Sequence, residues 1–137
     1  LGELSGEPGV LDEGLYTREN VDAVYAAVLR RAHLSLCEGH TVVLDGTWGD
    51  PRHRERARQV AGKTAARMIE FACAAPLGAT VARIRTRTGT TSQATPEIAT
   101  ALADREDAVW PGAHRLDTTR PPADSLAEAW EICRMSV

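Results

Sequence analysis

The chain has 137 residues, 43% hydrophobic and 26% charged, with a formal net charge of −3, which suits one modest domain with a real core. That mildly acidic balance gives no general surface for nucleic acid or a membrane, and no apolar run is long enough to span a bilayer. Cys37, Cys73 and Cys133 are far apart and form no CxxC or Cys/His ligand spacing, which argues against zinc or a disulfide framework and fits a reducing cytoplasm.

Residues 1–16 form an irregular Gly- and Glu-rich lead-in that starts at Leu1 instead of Met and reads as the middle of a longer protein. Thr17 offers a helix N-cap, Val21, Val24, Tyr25, Val28, Leu29, Ala32 and Leu36 make a helical stripe, and Gly39 ends it. "TVVLD", Thr41 to Asp45, is predicted as a short strand buried on both faces of a parallel sheet. Asp50-Pro51 opens a charged helix over Arg52 to Ala61, with Gly62 as its stop. "RMIEFACAA" reads as a second buried strand, with Cys73 as a small buried hydrophobe.

Pro76 starts a helix carrying Val81, Ile84, Arg83, Arg85 and Arg87, and residues 88–95 form a polar lid loop. Thr95-Pro96-Glu97 opens a helix to about Ala108, "HRLDTT" is a third strand, "RPPADS" a turn, and the last helix carries Leu126, Ala129, Trp130, Ile132 and Cys133. Strands alternating with helices predict an α/β fold, a parallel sheet with flanking helices in three α/β/α layers.

Ligands of open parallel sheets bind outside the carboxyl ends of the strands, and Asp45 occupies such an end. A carboxylate there suits holding magnesium, directly or through water, or deprotonating an attacking hydroxyl, and Thr47 adds a hydroxyl. The alternative is that Asp45 caps the following turn. "AGKT", Ala61 to Thr64, imitates a phosphate-binding loop, but Ala57 stands where that loop needs glycine, and a helix precedes it where a strand should. It reads as a helix stop and a solvated lysine. "LDGT" suggests haloacid-dehalogenase-like phosphatases, yet Val43 replaces their nucleophilic aspartate.

Arg83 and Arg87 share a helix face beside the lid loop and suit a clamp on transferred phosphate, or simply a solvated face. Arg52 and Trp48 are possible substrate contacts, Trp48 being equally a packing residue. His53 reads as solvated among Arg52, Arg54, Arg56 and Arg58, and Trp110 and Trp130 read as core.

Taken together, Gly14-Leu15-Tyr16, the helix ending at Gly39, "VVLDGTW" from Val42 to Trp48, Cys73-Ala74-Ala75-Pro76, the arginines Arg83 and Arg87, and Ser92-Gln93-Ala94 resemble the small P-loop kinase-like ATPases related to gluconate kinase and zeta-toxin phosphotransferases. The family pattern reads "VVLDATF", so Gly46 replaces alanine and Trp48 replaces phenylalanine. Its lid carries "S-D-A", so the acid is lost at Gln93.

The resemblance implies that residues 1–137 are the C-terminal two-thirds of one P-loop kinase-like domain, whose Walker A loop and first strand lie upstream. It implies ATP and Mg2+ as cofactors, a small-molecule phosphate acceptor, Asp45 as the magnesium- or base-type acid, and Arg83 and Arg87 as lid arginines. Such domains are often fused to an aminoglycoside-phosphotransferase-like domain. Without the first strand, the strands ending at Asp45 and Ala74 have no shared neighbour, and an unpaired edge invites re-pairing or oligomerisation. A degenerate, non-catalytic module of a larger protein is the alternative reading.

Overall fold

The computed structural model describes residues 17–86, 95–105 and 110–136. The lead-in 1–16, most of the lid loop, Arg87, Ser92-Gln93-Ala94 and the helix end near Ala108 lie outside the described residues. The chain divides into two compact units, parting between Met68 and Ile69.

In the first unit, α1 (Arg18–Cys37) packs against α2 (Pro51–Lys63). The Thr17 hydroxyl accepts the Asn20 N–H and so caps α1. Gly39, at φ 82°, turns the chain out of α1 while its N–H donates to Leu36 and that of His40 to Ser35. Leu29 and Ala32 supply the buried face.

α2 runs through Gly62, contrary to the predicted stop. It ends because the Thr64 hydroxyl donates to the carbonyls of Val60 and Ala61, and Ala65, not a glycine, takes the left-handed φ of 51°. Lys63 is exposed, as the reading of "GKT" required. Between the helices, Thr41–Asp45 is not the predicted buried strand: it joins no ladder among the described residues, and Val43 is exposed. A strand is stabilised by its neighbour's N–H and C=O groups, and no described segment offers them here.

In the second unit, β1 (Phe71–Ala74) and β2 (His114–Asp117) pair in parallel, Phe71 opposite His114 and Ala74 opposite Asp117. α3 (Leu77–Thr86) and α4 (Pro96–Arg105) lie between them in sequence and pack together, and α5 (Pro122–Met135) packs on β2. The second strand is thus shorter than "RMIEFACAA", and α5 begins inside the predicted turn "RPPADS". Leu116 and Ile98 are buried, but Cys73 is exposed: among the described residues the sheet has two strands, too few to bury a strand on both faces. Trp130 is likewise exposed, not core, whereas Trp110 is half-buried and its indole N–H donates to Glu70. No helix among the described residues is long and apolar enough to cross a membrane.

Candidate functional site

The residues after Asp45 form a tightly bonded turn in the first unit. The Tyr25 hydroxyl, from α1, accepts the Trp48 N–H at 3.0 Å and lies 3.2 Å from Thr47 Oγ1. From α2, Arg54 Nη1 donates to the carbonyls of Trp48 at 2.8 Å and Gly49 at 3.1 Å. These bonds hold Trp48 at φ 48°, a region that bulky side chains avoid unless their surroundings enforce it. The Trp48 ring is buried edge-on against Tyr25, centroids 4.7 Å apart. This is the packing role rather than an open stacking surface.

Gly46 makes the arrangement possible. A Cβ there would stand 3.3 Å from Trp48 Nε1 and 3.4 Å from the Tyr25 hydroxyl. An alanine methyl there would require the Trp48 ring to give by a few tenths of an ångström.

His53 and Arg54, read from sequence as solvated, are buried. The His53 ring stacks on Tyr25 at 4.2 Å, and Nε2 stands 3.1 Å from Asp22 Oδ1. A carboxylate only accepts, so Nε2 carries the hydrogen. Nδ1 is buried without a partner, and the Nε2–H tautomer leaves there an unmatched lone pair instead of an unmatched N–H. The missed signal was periodic: His53, Ala57 and Ala61 recur at i, i+4 and i+8 and form the buried stripe of α2.

The Arg52 side chain is engaged within the first unit. Its guanidinium clasps Asp50, with Nη2 to Oδ2 at 2.6 Å, and stands 3.8 Å from Asp22. Asp50 caps α2, accepting the Arg52 N–H at 2.8 Å. Hydrogen bonds from the Arg52 side chain, then from its backbone, outweigh burial and hold the Asp50 carboxyl at about 2, below its ordinary 3.8. A depressed value stabilises the fold above the unfolded-state value and stops doing so as pH falls through the folded one. Asp50→Ala is therefore expected to cost about 1 kcal/mol at neutral pH. In urea unfolding at stepped pH, the gap from wild type should close as pH drops from 3.8 to about 2.

Asp45 differs from every other acid near it. Its side chain is exposed and makes no hydrogen bond or ion pair among the described residues, so it does not cap the turn. Asp117, at the carboxyl end of β2, is committed: its Oδ1 accepts the Thr119 hydroxyl at 2.7 Å and N–H at 2.9 Å, which lowers its pKa. Among the described residues no group of three or more His, Cys, Asp or Glu could enclose a metal ion.

Asp45, Thr47, Trp48 and Arg52 belong to the first unit, and Arg83 to the second. There Arg83 donates to the Thr118 carbonyl and, at 3.4 Å, to its hydroxyl, and Thr118 in turn bonds the Ala74 carbonyl. The guanidinium thus ties α3 to the ends of both strands. Arg85 lies near Glu97, whose carboxyl is held down first by its own backbone N–H and the Thr95 hydroxyl, then by that charge.

Comparison with known proteins adds the family. An uncharacterized protein of Mycobacterium bovis and two of Mycobacterium tuberculosis are each 49% identical to the chain over 136 residues, covering 99% of it and 27% of the relative. The chain thus spans about a quarter of the length of the curated relatives it matches. No solved structure matches it. The AAA domain profile matches residues 5–109, and its P-loop NTPase-like fold agrees with the helices and parallel strand pair seen here. By that match the chain belongs to the AAA domain family, a P-loop kinase-like group of nucleotide-binding domains.

Proposed function

We propose that the chain serves an ATP-dependent phosphotransferase acting on a small-molecule acceptor, with Asp45 as its acidic group. The observation that carries this reading is the unengaged Asp45 carboxylate ahead of a turn in which the Thr47 hydroxyl, the Trp48 N–H and the Trp48 and Gly49 carbonyls are held by Tyr25 and Arg54. A carboxylate used for structure is consumed by neighbours, as at Asp50 and Asp117. One left open to solvent is available to a ligand.

A single carboxylate also fits Mg2+, which keeps several waters and takes one or two carboxylates beside substrate phosphates rather than an all-protein cage. Asp45 would hold the ion through water, and the ion would supply neutralisation of phosphate charge. Thr47, two residues on, would offer its hydroxyl to substrate or phosphate. Arg83 and Arg87 are the lid arginines of this reading, which requires Arg83 to exchange its Thr118 contact for phosphate.

The pattern G-x-x-x-x-G-K-[ST] does not occur in the sequence, so in this reading residues 1–137 act as the C-terminal two-thirds of the kinase-like domain and the phosphate cradle comes from elsewhere in the protein. The gluconate kinase and zeta-toxin relationship, a fused aminoglycoside-phosphotransferase-like domain, and association through the unladdered 41–45 segment belong to the same proposal. The test is calorimetric titration of the full-length protein with ATP, with and without Mg2+. Saturable, Mg2+-dependent binding is expected, and its absence would favour a non-catalytic module.

A further inference from the structure

Tyr25 lies outside every motif discussed so far, yet its hydroxyl meets two consecutive residues of the turn after Asp45. A phenol has one O–H to donate and lone pairs to accept with. One lone pair takes the Trp48 N–H at 3.0 Å. The other contact of the hydroxyl among the described residues is Thr47 Oγ1 at 3.2 Å, a pair in which either oxygen can donate; with a lone pair already taken by Trp48, the phenolic hydrogen is what Tyr25 has to offer Thr47. In that arrangement Thr47 Oγ1 accepts from Tyr25, and its own hydrogen is left to donate. The Thr47 side chain is exposed, so that donor is open to a ligand.

The phenol itself is fixed from behind. His53 stacks on the ring with an interplanar angle of 16°, and His53 is held in turn by Asp22. Arg54 fixes the carbonyl side of the same turn. The chain Asp22–His53–Tyr25 thus ends on the one hydroxyl neighbouring the unengaged acid, and a rigid supporting shell of this kind orients the group it touches.

We propose that Tyr25 is a positioning residue that sets the Thr47 hydroxyl as a hydrogen-bond donor toward an oxygen of the phosphoryl group bound at the Asp45 rim. The idea rests on the phosphotransferase reading and adds to it a polarity: Asp45 accepts or holds the cation, and Thr47 donates. A donor to a charged oxygen is worth about tenfold or more.

The test is a double-mutant cycle in the full-length protein with Mg-ATP, reading kcat and KM separately and the unfolding midpoint alongside. Tyr25→Phe and Thr47→Val are each expected to lower kcat about tenfold, and the double variant is expected to fall no further than Thr47→Val alone. Thr47→Ser, which keeps the hydroxyl, should retain both activity and its dependence on Tyr25. A purely structural role for Tyr25 would instead reduce activity by the same factor in the Thr47→Val background, and such additive losses would overturn the proposal. So would a Tyr25→Phe variant with unchanged kcat. A wild-type protein without Mg-ATP turnover overturns the phosphotransferase reading itself, an outcome separate from additive losses in an active enzyme.

Discussion

Asp45→Asn is expected to lower Mg-ATP-dependent phosphoryl transfer by about a hundredfold or more while leaving the unfolding midpoint where it is. Proton transfer by a positioned side chain contributes about 10²–10⁴-fold, and loss of a carboxylate near the phosphates also weakens the hold on Mg2+. The substitution keeps size and shape and removes charge. Because Asp45 is exposed and makes no hydrogen bond or ion pair among the described residues, the fold loses nothing with it. Steady-state kinetics and urea unfolding on the same preparation separate the two effects. Equal turnover by both proteins would remove Asp45 from the mechanism. A lowered midpoint would mean that its carboxylate is engaged after all.

Arg54→Met should do the opposite to stability, costing about 2–4 kcal/mol. The buried guanidinium donates to two carbonyls, those of Trp48 and Gly49, in a turn that already holds a tryptophan at positive φ. Methionine fills the space of the stem but donates nothing, so both acceptors lose that partner. The strained backbone then loses one of the contacts that enforce it. Arg54→Lys should recover only part of the loss, because a point-like ammonium does not reproduce the planar fork. Urea unfolding gives the value, and a change below about 0.5 kcal/mol, the range of ordinary surface substitutions, would show the clamp to be dispensable.

The two effects differ because the turn divides its labour by residue, and that division was only half legible in the sequence. Local punctuation was readable: Thr17, Gly39, Asp50-Pro51 and Thr95 act on partners within a few residues, and each sits where its chemistry predicts. Asp45 could be singled out for the same reason, since its position follows from the break after an apolar run.

Long-range pairing was not legible. Whether Thr41–Asp45 becomes a strand depends on a neighbouring backbone, which three apolar side chains cannot specify. The meeting of Tyr25 with Thr47 and Trp48 spans 22 and 23 residues, and no spacing rule reaches across a helix and a loop. His53 and Arg54 are hidden by composition, because Arg52, Arg56 and Arg58 around them suggest a wet surface. Trp130 was misplaced in the other direction: an aromatic on a helical stripe was taken for core, although α5 leaves it open to solvent. Gly46 and Trp48 look like two separate departures from a pattern, and only the 3.3 Å between a Cβ built at Gly46 and Trp48 Nε1 shows them to be neighbours.

The burial of Trp48 has a practical side in spectroscopy. Its indole is 7% exposed and lies edge-on to Tyr25, while that of Trp130 is 63% exposed. Emission from the first should be blue-shifted, fed by energy transfer from Tyr25 and shielded from acrylamide; emission from the second should be red-shifted and readily quenched. The turn behind Asp45 therefore carries its own optical label, and its opening or tightening can be followed without attaching a dye.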